Sequence, residues 1–172
     1  TIAFELLGDI YGMPAAGGQA RPLLSGPAFQ AQPRFSPDGR RIAYISDETG
    51  SDNIWIANVD GTGARALTSL PRVMMTSPAW APDGSSIYVT VIDNRVAALW
   101  RVDIASGKAE SLVPNGSGAP SLLVSAPAPG PYGAHVSPDG RWLYYAAVTP
   151  RAHGVRQGPG GDLHFHVRTS RR

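Results

Sequence analysis

No cysteine occurs among the 172 residues, which excludes a disulfide scaffold and a thiolate zinc site. Lysine is nearly absent too; Lys108 is the only one. Strong helix formers never gather into a run rich in Ala, Leu and Glu, so long helices are not expected. No segment approaches the roughly 20 consecutive apolar residues of a membrane-spanning helix. Charged residues make up only 16%, and the net charge is +2. The basic residues are scattered arginines rather than a stripe interleaved with aromatics, which argues against a nucleic-acid partner. The chain opens at Thr1 with neither Met nor a signal-peptide pattern, and is expected to be a processed protein or an internal fragment.

What the chain does have is turn-formers: 20 Gly and 16 Pro, spread along its length. With a hydrophobic content of 42%, that distribution predicts many short elements separated by turns rather than disorder. The segment "FSPDGRRIAY" at 35–44 returns as "WAPDGSSIYV" at 80–89 and as "VSPDGRWLYY" at 136–145, at spacings of 45 and 56 residues. The shorter period fits one four-stranded propeller blade, and the longer a blade with an inserted loop.

Within each copy, an apolar residue (Phe35, Trp80, Val136) ends a first strand. The triplets Pro37-Asp38-Gly39, Pro82-Asp83-Gly84 and Pro138-Asp139-Gly140 then make a turn. Proline pre-sets φ, aspartate bonds nearby backbone and glycine accepts positive φ. A second strand follows with period-two alternation: Ile42 and Tyr44, Ile87 and Val89, Leu143 and Tyr145. Third strands are predicted at 53–58 and 98–103, and short fourth strands at 64–68 and 109–113, with turns at Asp60-Gly61 and Ser106-Gly107 between them. Residues 1–26 read as strands two to four of a further blade. "GDLHFHV" at 161–167 falls in a third-strand slot. The expected architecture is all-β: a partial β-propeller of two complete and two incomplete antiparallel blades, spanning about 1–26, 33–68, 77–113 and 133–172. Residues 114–131 and 150–162 read as inserted loops without a chemical signature.

The "SPDG … IAY … IW … DG … LT" pattern resembles the TolB-type propeller repeat. That repeat occurs in periplasmic TolB, in the propellers of prolyl-oligopeptidase-like enzymes, and in the N-terminal propeller of certain bacterial amidohydrolases. The stretch from "IAFELLGDIYGMPAAGG" through "NIWIANVDG" is most similar to the last group. That resemblance implies a bacterial periplasmic or secreted protein. It also implies a metal-dependent hydrolase activity housed in a separate downstream barrel, whose metal ligands have no counterparts in this chain.

The candidate chemistry within the chain is sparse. His164 and His166 share one face of a strand at a spacing that can chelate a metal. The repeat register, however, assigns His164 to the slot of Tyr11, Trp55 and Trp100, and His166 to that of Met13, Ala57 and Val102. No third ligand is evident nearby, His153 in the preceding loop being the one candidate, so no metal site is expected. Asp47, Glu48, Asp52 and Asn53 form an oxygen-rich loop whose spacing does not match an EF-hand. Asp38, Asp83 and Asp139 recur once per repeat. A catalytic residue is used once and a structural device repeats, so these read as turn residues, as do Ser36 and Ser137. Lys108 beside a Ser-Gly turn offers no carbamylated-lysine site. No G-x-S-x-G elbow exists. No catalytic set and no cofactor are expected. The remaining reading is a non-catalytic module whose partner is a domain of its own polypeptide or another protein.

Overall fold

The computed structural model describes residues 1–93, 96–113, 135–147 and 164–169, and among them every regular element is a strand. Four antiparallel sheets follow one another along the chain. The first holds β1 (Ile2–Leu6), β2 (Asp9–Met13) and β3 (Arg21–Leu24). The second holds β4 (Gln30–Phe35), β5 (Arg41–Ser46), β6 (Asn53–Asn58) and β7 (Arg65–Ala66). The third holds β8 (Met74–Trp80), β9 (Ser86–Asp93), β10 (Val96–Asp103) and β11 (Ala109–Val113). The fourth holds β12 (His135–Val136), β13 (Trp142–Ala147) and β14 (His164–Thr169). In each sheet the strands are paired in sequence order, as in an up-and-down meander. This is a partial β-propeller, with two four-stranded blades between two that are three-stranded among the described residues.

The strands form because each must bury two faces, one against each neighbouring blade. Residues of both parities along β5 and β6 are therefore apolar. Ala43, Ile45, Ile54 and Ile56 pack with Ile87, Val89, Val91 and Val102 of the third blade. Tyr44, Trp55 and Ala57, which alternate with them, pack back onto Ile10 and Leu24 of the first. Leu99 and Tyr88 continue the series onto Leu143. The hydrophobic core thus lies between sheets, in layers, and each blade depends on its neighbours for burial.

β4 and β8 start three residues earlier than the repeat pattern predicts. Pro33 and Pro78 obscure them in the sequence, because proline cannot donate to a ladder. Both prolines lie within a β-bulge: the register shifts between Ala31 and Arg34 and between Thr76 and Ala79. Gln32 and Ser77, the residues before the prolines, take left-handed φ values of 53° and 58°. The bulge absorbs the missing N–H, so strand pairing resumes on both sides of it.

Candidate functional site

The recurring Ser-Pro-Asp-Gly turns are built alike. The Ser36 hydroxyl donates to Asp38 Oδ1 (2.5 Å) and accepts from the Arg41 N–H (2.9 Å). Asp38 Oδ1 also accepts from the Arg40 N–H (3.1 Å), and the Gly39 N–H closes the turn on the Ser36 carbonyl (2.9 Å). Gly39, at φ 68°, occupies the left-handed position that Pro37 and Asp38 lead into. Around Ser137, Pro138, Asp139 and Gly140 the same bonds recur, with an added ion pair from Arg141 Nε to Asp139 (2.7 Å). In the turn of Pro82, Asp83 and Gly84, Ala81 stands where the others have serine. The hydroxyl of Ser85 approaches from the other side and donates to Asp83 Oδ1 (2.7 Å), beside its own N–H (2.9 Å).

Asp60 and Asp103 repeat the device in the β6–β7 and β10–β11 turns. Asp60 accepts from the N–H and hydroxyl of Thr62, and Asp103 from those of Ser106. Hydrogen bonds to the ionised form hold the carboxyls of Asp38, Asp60 and Asp103 below the usual carboxylate range. The hydroxyl of Ser137, helped by Arg141, brings Asp139 from 3.8 to about 2. These carboxylates are spent on their own turns and converge on no common point. Lys108 follows the last of these turns, its N–H donating to Ser106 Oγ (3.3 Å).

The oxygen-rich loop after β5 is dispersed by its bonds. Asp47 accepts from the Phe29 N–H (2.8 Å) and Asp52 from the Met75 N–H (3.1 Å), in opposite directions. Glu48 is exposed. Asn53 is buried and staples the loop between β7 and β8. Its Oδ1 accepts from the Thr68 hydroxyl (2.8 Å) and the Leu70 N–H (2.8 Å), and its Nδ2 donates to Thr49 Oγ1, Ser51 O and Leu70 O. Among the described residues no three His, Asp or Glu side chains cluster as a metal site.

His164 and His166 both lie on β14, but two residues away from the slots that the repeat spacing assigns them. Tyr145 pairs with His166, as Tyr44 pairs with Trp55, Val89 with Trp100 and Phe4 with Tyr11. His166 therefore holds the aromatic slot and His164, opposite Ala147, the slot of Asn53. The long connection before β14 made the in-sequence alignment slide by one pleat repeat. His153 and both inserted segments, 114–131 and 150–162, lie outside the described residues.

Sequence reasoning missed one set of contacts between blades. The bulge N–H of Ser77 is capped by Gln32 Oε1 (2.6 Å), from the bulge of the preceding blade. The bulge N–H of Gln32 is in turn capped by Glu5 Oε2 (2.8 Å) of β1. Gln32 and Ser77 are separated by the repeat length of 45 residues, the signal that would have found them.

The TolB beta propeller domain matches residues 6–153. The chain belongs to this family. Its member here is 43% identical over 75 residues to the uncharacterized peptidase YuxL of Bacillus subtilis, covering 43% of this chain and 11% of that protein. It is 34% identical over 68 residues to the Tol-Pal system protein TolB of a Polaromonas species, covering 40% of this chain and 16% of TolB. The crystal structure of TolB from Acinetobacter baumannii shares the fold, with a TM-score of 0.69 at 19% identity, over 92% of this chain and 34% of that one. The chain thus spans well under half of the length of each of these proteins.

Proposed function

We propose that this TolB-type propeller segment is a non-catalytic interaction module that works beside a further domain or a partner protein. The observation that carries the reading is the repetition of its chemical groups. Asp38, Asp83 and Asp139 stand at one repeat position, and their carboxylates bind the hydroxyls and N–H groups of their own turns. We take 1–172 as one propeller segment with the four blades given above, working in the bacterial periplasm or outside the cell.

Three readings of the larger protein have support. The start "IAFELLGDIYGMP" resembles the propeller of amidohydrolase-like hydrolases. The 43% identity to a protein named as a peptidase favours a serine peptidase instead. A Tol-Pal role is the third, supported by the TolB match.

The test has two parts. The chain alone, with added zinc, is expected to hydrolyse neither amide, ester nor peptide substrates. Metal-stimulated turnover abolished by His164→Ala would overturn the module reading. In the natural polypeptide, hydrolysis blocked by a chelator selects the amidohydrolase, and hydrolysis blocked by a fluorophosphonate selects the serine peptidase. A parent without hydrolytic activity selects the Tol-Pal role.

A further inference from the structure

One rim of the propeller carries the β1–β2 turn, the β3–β4 link, the β5–β6 loop and the start of β8. At its first point the chain reverses through Leu7 and Gly8, both at positive φ (54° and 89°). Such a two-residue turn favours Asn-Gly, because a left-handed conformation strains most side chains. Here the first position is a leucine that is 98% exposed, and Leu6 beside it is 52% exposed. A strained, fully exposed aliphatic tip stabilises nothing in the fold.

Hydrogen bonds link the tip to the segments that carry the other exposed apolar groups of this rim. The Gly8 carbonyl accepts from the Gln30 N–H (2.8 Å), and the Phe29 ring lies against Gly8. Phe29 is 52% exposed. Its N–H donates to Asp47, which joins the β5–β6 loop to it. At the far end of that loop Ser51 bonds the Val73 carbonyl and N–H, and Asp52 bonds the Met75 N–H. Met74 between them is 61% exposed, at the repeat position equivalent to Phe29. Carboxylates separate the apolar groups: Asp9 beside the tip, then Asp47, Glu48 and Asp52 between Phe29 and Met74. Arg72 is the one cation of these segments among the described residues.

We propose that this rim, through Leu6-Leu7, Phe29 and Met74 with Glu48 and Asp47 between them, docks a partner protein segment that alternates aliphatic and basic side chains. The proposal rests on the interaction-module reading and gives that module its face. Apolar side chains of the segment cover the exposed leucines, Phe29 and Met74, and its Lys or Arg groups meet the carboxylates. The acidic character disfavours an anionic membrane surface, and it makes a basic segment the fitting occupant.

The probe is a labelled peptide alternating leucine and lysine, titrated onto the full chain and read by fluorescence anisotropy, with a leucine–glutamate peptide of equal length as control. Leu7→Asn removes the apolar tip while placing a better residue in the turn. It is expected to melt no lower than the parent and to bind the basic peptide about tenfold more weakly. Glu48→Lys is expected to weaken binding similarly and to flatten its salt dependence. Equal binding by both folded variants, or equal binding of the two peptides, overturns this face. Concentration-dependent self-association lost in Leu7→Asn overturns it in favour of a second copy, and preferential binding to phosphatidylglycerol vesicles in favour of a membrane. None of these results bears on hydrolysis, so failure here leaves the non-catalytic reading standing and its own assay decisive.

Discussion

At the scale of single residues, the aspartates of the turns make the fold sensitive to acid. Their carboxyls titrate lower in the folded chain than in the unfolded one, where the ordinary value of 3.8 applies. The unfolded state therefore binds protons first as the pH falls. Their contribution is complete above the unfolded value and is lost as the pH drops through the folded values, to about 2 for Asp139. The melting temperature is expected to hold down to about pH 4 and to fall between there and about pH 2. The double variant Asp38→Asn with Asp139→Asn is expected to start lower and fall less steeply, measured by thermal melts across that range. The Ala81 copy shows that the device tolerates a moved partner: Ser85 supplies the hydroxyl that Ser36 and Ser137 supply elsewhere.

At the scale of elements, the bulged inner strands are the informative feature. Gln32 and Ser77 each hold a left-handed φ ahead of a proline, and Gln32 caps the Ser77 N–H across the blade gap. Ser77→Gly is expected to raise stability by up to about 1 kcal/mol by relieving that conformation. Gln32→Ala is expected to cost about 1–2 kcal/mol by leaving a bulge N–H without its acceptor. Urea denaturation of both variants checks the pair of signs. These strands also mark where sequence reading stops. The second strands were legible because "RRIAY", "SSIYV" and "RWLYY" recur behind an Asp-Gly turn; the period-two alternation expected of them is not what β5 and β9 show, since both of their faces are buried between blades. β4 and β8 were truncated because a bulge breaks period two and a proline within it mimics a loop. Among candidate site residues, the turn aspartates could be read from recurrence. The staple made by Asn53 could not, since its partners Thr68 and Leu70 come from a different connection. The two-residue slide at His164 and His166 arose because a long insertion removes the local spacing that fixes register.

For the whole molecule, the contacts between blades decide stability. The β6–β7 turn brings Gly61 against the Leu23 carbonyl of the preceding blade, so closely that any Cβ at Gly61 would collide with it. Gly107 of the β10–β11 turn meets the Leu67 carbonyl in the same way, with 2.7 Å left for a Cβ. Gly39 has nothing near its missing Cβ. Gly39→Ala is thus expected to cost about 1 kcal/mol, from backbone conformation alone. Gly61→Ala adds a backbone collision to that conformational strain and is expected to cost about 3 kcal/mol or more. Comparing the two in parallel denaturation curves separates turn geometry from blade contact; equal costs would remove the contact from the account.

Leu23 and Leu67 are the same residue of successive repeats, and Gly61 and Gly107, one place apart in the aligned repeats, each meet that carbonyl of the blade before. The second blade, which contains Gly61 and Leu67, therefore carries both halves of the joint: the glycine that fits the blade before it and the carbonyl that receives the blade after it. A gene segment encoding such a unit can be duplicated in tandem, and the new copy arrives with a matching plug and socket. Lengthening the array requires no compensating change in the neighbours. Substitutions elsewhere in a copy, such as Ala81 for serine, are then free to accumulate while the joint stays constant.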